Sequence, residues 1–121
     1  MAQGAGDGSG RVDATTADAA LADLTEELAA CLASLESALA RAEELRKARG
    51  DGRTWRDAVS AEERPLIVER ISEALERLGG AGSRWRREEA RALRAEGLSI
   101  SAVAALFGVT RQRASVLVRD L

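Results

Sequence analysis

A chain of 121 residues holds one ordinary domain, or one small domain with an accessory element, and its 45% hydrophobic content is mostly Ala and Leu, with Trp55, Trp85 and Phe107 the only aromatics. That composition, poor in β-branched residues before Ile67, predicts an all-α fold. The absence of His and the single Cys31 exclude imidazole chemistry, His or thiolate metal sites and an intrachain disulfide, and the net charge of −2 on its own argues against a nucleic-acid partner.

From the N-terminus, Met1–Val12 is rich in Gly and has almost no large apolar residue, so residues 1–12 are expected to be a disordered tail. Residues 13–50 carry an apolar stripe. Leu21, Leu24, Leu28, Cys31, Leu35, Ala38, Ala42 and Leu45 alternate spacings of three and four, the a/d seam of a heptad, and Leu32 and Leu39 widen it at e. Thr15 or Thr16 can cap the start and Gly50 the end, giving a helix roughly 54 Å long. Such a stripe must be buried. It predicts a coiled-coil homodimer through Leu21, Leu24, Leu28, Cys31, Leu35 and Leu45, parallel or antiparallel, with packing on the chain's own helices as the alternative.

Residues 51–82 form a linker and a supporting helix. Gly50-Asp51-Gly52 is a break, and Thr54 with Asp57 opens a short turn carrying Trp55. Ser60 with Glu63 repeats the capping signal. Pro65 places the main start near it, and Leu66, Ile67, Ile71, Ala74, Leu75 and Leu78 make the apolar face. Gly79-Gly80-Ala81-Gly82 is expected to end that helix, with Ser83 capping the next, Ser83–Glu96. Trp55 and Trp85 are expected as core anchors, because base-stacking proteins present several clustered aromatics. The arginines at 84, 86, 87, 91 and 94 are expected as a solvated, partly Glu-paired face.

Residues 83–121 hold the most informative pattern. After Gly97, Ser99 caps a short helix in which Ile100, Val103, Ala104 and Phe107 share a face; Gly108-Val109 turns, and Thr110 caps a last helix. A helix-turn-helix needs a small residue where its helices cross, which Ala104 supplies, and a turn residue that tolerates positive φ, which Gly108 supplies. Val103, Phe107, Val109, Ala114 and Leu117 plug the turn. With Ala114 and Leu117 inward, Gln112 and Arg119 face away, Ser115 and Val116 lie beside them, and Arg111 and Arg113 flank.

The stretch EGLSISAVAALFGVTRQRASVLVRDL, preceded by SRWRREEARALRA, resembles the helix-turn-helix of site-specific resolvases and of sigma-factor region 4. It is more similar still to small actinobacterial DNA-binding proteins, some of them nucleoid-associated. Trp55-Arg56, Glu62–Glu69 (EERPLIVE) and Phe107–Arg113 (FGVTRQR) match the pattern of that group, while Ala114 stands where the group has Val. The resemblance covers about Thr54–Leu121 and leaves the coil outside. It implies a trihelical C-terminal DNA-binding unit and says nothing of the target sequence.

Charge distribution points the same way. Residues 1–49 carry nine acids and five bases, 50–82 seven and five, and 83–121 four and eight. Exposed charges more than about 8 Å apart are largely screened at physiological salt, so the basic last third is the candidate contact surface for a polyanion. Double-stranded DNA is the expected partner, read by Thr110, Arg111, Gln112, Arg113, Ser115, Val116 and Arg119, in a transcriptional regulator or a nucleoid-associated protein. An adaptor that binds RNA polymerase or a sigma factor through the acidic helix is the rival. No catalysis, cofactor, metal or small-molecule ligand is expected, since Glu43-Glu44 and Glu88-Glu89 fall on solvated faces and no phosphate-cradling Gly motif is present. With no leader and no apolar run near about 18 residues, a cytoplasmic, nucleoid location is expected.

Overall fold

The computed structural model of the chain describes residues 3–119, with side chains placed from residue 12 onward. The regular elements among them are all helices: α1 (Gln3–Gly50), α2 (Trp55–Ser60), α3 (Ile67–Ala95), α4 (Ile100–Phe107) and α5 (Arg111–Val118). None is long and apolar enough to cross a membrane. Helix α1 opens at Gln3, so residues 3–12 of the expected disordered tail are helical, while Met1 and Ala2 lie outside the described residues. Propagation accounts for this difference, because each residue added to an existing helix brings its own hydrogen bond, whereas a new nucleus fixes several residues for one.

The chain divides into two units, one of the residues up to Thr25 with those from Gly80, the other Glu26–Gly79. Both long helices therefore contribute a part to each unit. In the Glu26–Gly79 unit, α1 and α3 run antiparallel. Arg70 donates to Ser37 Oγ (3.2 Å), and Arg41 donates to the carbonyls of Pro65 (2.8 Å) and Glu63. Cys31 and Ala38 of α1 and Ala74 of α3 are buried, and Glu27, Ser34, Arg41 and Leu45 are half-buried.

The buried seam thus differs from the expected one. It keeps the d positions Cys31, Ala38 and Leu45, pairs them with Glu27, Ser34 and Arg41, and turns Leu28 and Leu35 out into solvent. Small side chains at Cys31, Ser34 and Ala38 allow a close approach that leucines there would prevent, so the leucines are set to one side. Leu75, expected inward on α3, is likewise exposed, while Leu66, Ile67, Ile71 and Leu78 are half-buried.

The link between these helices obeys its local chemistry. Gly52 takes φ +89°, and Thr54 caps α2 by accepting from the Asp57 amide (3.1 Å). Ala58, not Trp55, is the residue this short helix buries. Trp55 is exposed, with the Arg49 guanidinium 4.6 Å above its ring, because six residues make too little helix to bury both. Ser60 closes α2 instead of capping a further helix. Carboxylates open α3, since Glu62 accepts from the Ile67 amide (2.8 Å) and Glu69 from the Leu66 amide (3.2 Å).

In the other unit, Ala20 is buried, Leu24 half-buried and Leu21 exposed, and Asp23 pairs with Arg84. Helix α3 runs through Gly79-Gly80-Ala81-Gly82 without the expected break. Glycine weakens a helix by about 0.5–1 kcal/mol per position but does not forbid it, and none of these glycines takes the positive φ that would end it. Farther on, Ala90 of α3, Val103 and Ala104 of α4, and Ala114 and Leu117 of α5 form one buried cluster. Leu93, Leu98, Ile100, Phe107, Val109 and Val118 pack around it, and Trp85 is half-buried.

Candidate functional site

Helix α5 is positioned from both ends. At its start Thr110 adopts extended backbone and accepts from the Arg113 amide (3.1 Å), satisfying one of the amides an α-helix leaves open there. The turn before it depends on Gly108, whose φ of +66° closes α4 as the Val109 amide reaches the Ala104 carbonyl (3.1 Å). Ser99 caps α4 in the same way, accepting from the Ala102 amide (3.1 Å). At its far end Arg91 of α3 donates to the carbonyls of Val118 (3.5 Å) and Arg119 and to Glu88 (2.7 Å). A guanidinium is what the negative end of a helix dipole favours.

The outer side of α5 bears the residues singled out from the sequence. Thr110, Arg111, Gln112, Arg113 and Arg119 are exposed, and Ser115 and Val116 are half-buried. Ala114 and Leu117, which plug the core as expected, fix this orientation. Val116 does not stand on the open face. With Leu117 and Arg113 it borders a depression of about 440 Å³ whose other wall is Gly82, Ser83, Arg86 and Arg87 of α3.

The arginines of α3 divide by what they touch. Arg84 pairs with Asp23, Arg94 donates to the Leu98 carbonyl (2.9 Å), and Arg91 holds the end of α5. Arg86 pairs with Glu89 (3.3 Å) and lies 3.9 Å above the Phe107 ring. Arg87 has no ion-pair partner among the described residues, and neither have Arg111 and Arg113. Arg87 and Arg113 border the same depression, which is thus lined by two cations that have no ion pair among the described residues. Sequence reasoning grouped Arg87 with its neighbours. A signal was present, since Arg84, Arg86 and Arg91 each have a Glu three or four positions away and Arg87 has none.

Among the described residues no group of Cys, Asp and Glu side chains could hold a metal ion. Compared with known proteins, the chain matches no family model, no curated protein and no solved structure.

Proposed function

We propose that the chain binds double-stranded DNA through the major groove, with α4 and α5 as a helix-turn-helix and α5 as the reading helix. One observation carries the reading. Arg111, Gln112 and Arg113 stand exposed, the two arginines without an ion pair among the described residues, on a helix whose other side is anchored by Ala114 and Leu117. Gln can bond adenine in bidentate fashion, and Arg can do so with guanine, whereas Val116, turned into the depression, is left out of the base contacts. Thr110 and the open amides of the first turn suit a phosphate. Arg87 and Arg113, facing each other across the depression, suit a second one, and Arg119 an anchor at the far end. The resemblance of Phe107–Arg113 to small actinobacterial DNA-binding proteins supports the same reading. A transcriptional regulator and a nucleoid-associated protein would use this surface alike.

The test is selection of bound sequences from random duplexes, with isotherms then measured on a selected and a scrambled site. Gln112→Ala is expected to cost roughly 1–3 kcal/mol on the selected site alone, and Arg87→Ala to weaken both duplexes equally. Wild-type isotherms for both variants on both duplexes would refute the reading.

A further inference from the structure

We infer that a second copy of this chain docks on an apolar face of the Glu26–Gly79 unit, formed by the leucines that α1 leaves unburied and by Val68 and Leu75 of α3. Leu28, Leu32, Leu35, Leu39, Val68 and Leu75 are between 38 and 73% exposed. At 100° per residue the four leucines of α1 lie within about 60° of one another, roughly 100° round the helix from the Cys31/Ser34/Ala38 side that packs inward. Val68 and Leu75 are turned about as far, in the same sense, from Arg70 and Ala74. In an antiparallel pair, equal turns bring both sets to the same side. The Arg70–Ser37 hydrogen bond sets the register, which puts Leu32 level with Leu75 and Leu39 level with Val68. Half-buried Ile71 lies between them.

The size and chemistry of the face select the occupant. These six side chains leave on the order of 500 Å² of apolar surface, near the upper limit for a single patch on a soluble monomer. That is a large part of the roughly 800 Å² each partner contributes to a stable interface. The face holds only aliphatic residues, with none of the Trp, Tyr or Arg anchors typical of contacts between unlike proteins. An aliphatic face can meet its own copy across a two-fold axis, as an isologous interface requires. Two antiparallel helix pairs meeting so make a four-helix bundle. A polyanionic occupant is disfavoured, because the unit carries twelve acids and nine bases, with Glu36, Glu43 and Glu76 at the edge of the face. The inference goes beyond DNA binding and does not depend on it. It also moves the interface away from the expected seam, since Cys31 and Ala38 are already buried within one chain.

Sedimentation of the full chain in the low micromolar range tests it. The wild type is expected to be dimeric, and Leu32→Lys with Leu39→Lys to raise the dissociation constant more than about 100-fold, as charges in a buried apolar interface do. Helix content by circular dichroism is expected to be unchanged, because both side chains are exposed in the single chain. Leu75→Lys on the other helix is expected to dissociate the dimer too, and decides the matter should the double variant lose helix. Leu106→Lys, at an equally exposed leucine of α4, is expected to leave the dimer intact. A monomeric wild type, or dimers that survive the Leu32/Leu39 and Leu75 changes, would overturn the inference. Raising salt is expected not to weaken the dimer, in contrast to phosphate contacts, so failure of DNA binding and failure of dimerisation are read separately.

Discussion

Replacing Gly79, Gly80 and Gly82 by Ala is expected to stabilise the protein. All three lie inside α3 with helical backbone, and a methyl group built on any of them meets nothing within 4 Å. The substitutions then act mainly on the unfolded chain, whose freedom at these positions is reduced, and on helix propensity. Each contributes about 0.5–1 kcal/mol, or roughly 1.5–3 kcal/mol for the three if they act independently. Since a chain of this size has an unfolding entropy near 0.25 kcal/mol/K, 1 kcal/mol corresponds to about 4 °C and the triple variant to roughly 6–12 °C. Thermal and urea unfolding of the single and triple variants measures it. The sign decides between two structures. A helix ending at these glycines needs a left-handed residue, where Ala costs about 1–2 kcal/mol, so a loss of stability in any single variant would refute a continuous α3.

The opposite outcome is expected at Gly108, whose φ of +66° makes Ala cost about 1–2 kcal/mol and loosens the turn before α5; unfolding that matches wild type would count against the turn described here. Arg91→Met removes the donors to Val118, Arg119 and Glu88, and for a partly exposed side chain is expected to cost about 1 kcal/mol, with faster amide exchange in the last turn of α5. Trp55→Ala is expected to change stability by no more than about 0.5 kcal/mol, as at other exposed sites; a loss of about 3–5 kcal/mol, the cost of emptying a core position, would show it to be buried.

Caps and turns were legible in part, since Thr15, Thr16 and Ser83 lie inside helices and Ser60 at the end of one, where the sequence would have them cap. Thr54, Ser99, Gly108 and Thr110 all act where the sequence places them, because each works within three or four residues of itself. The C-terminal core was legible as well, since α4 and α5 are short and the plugs Val103, Ala104, Ala114 and Leu117 have one side to face. Where two distant segments meet, periodicity was ambiguous. The a and d positions of α1 share one stripe in sequence, but packing on the antiparallel α3 takes the small d residues Cys31 and Ala38 with Ser34 on their other side and leaves the a leucines Leu28 and Leu35 outside. Gly79–Gly82 misled for a related reason: a run of glycines favours a break locally, and the remainder of a 29-residue helix outweighs it. At the candidate site, residues on α5 could be chosen by angle from Ala114. The isolation of Arg87 was readable from its lack of a Glu three or four positions away, whereas the pairing of Arg84 with Asp23, 61 positions off, was not.

The division of the arginines has a measurable consequence for the DNA binding proposed above. Arg84, Arg86, Arg91 and Arg94 already answer a carboxylate or a carbonyl, so a phosphate must displace a partner to gain them. Arg87, Arg113 and Arg119, the arginines placed at phosphates, have no ion pair to lose among the described residues, which sets the cationic phosphate contacts of one copy near three. Counterion release then gives a slope of log K against log salt of about −0.9 per phosphate, or roughly −3 for a chain held monomeric by Leu32→Lys and Leu39→Lys. A dimer engaging both reading helices is expected to show about −5 to −6. Arg87→Ala should reduce the monomer slope by about one, while Arg84→Ala should leave it nearly unchanged and lower stability slightly through the lost pair with Asp23. Fluorescence anisotropy on one duplex at four or more salt concentrations measures all of these. A slope near zero would remove the phosphate contacts altogether. Equal losses for Arg84→Ala and Arg87→Ala would instead show that the whole arginine face of α3 meets DNA, and that its ion pairs open on binding.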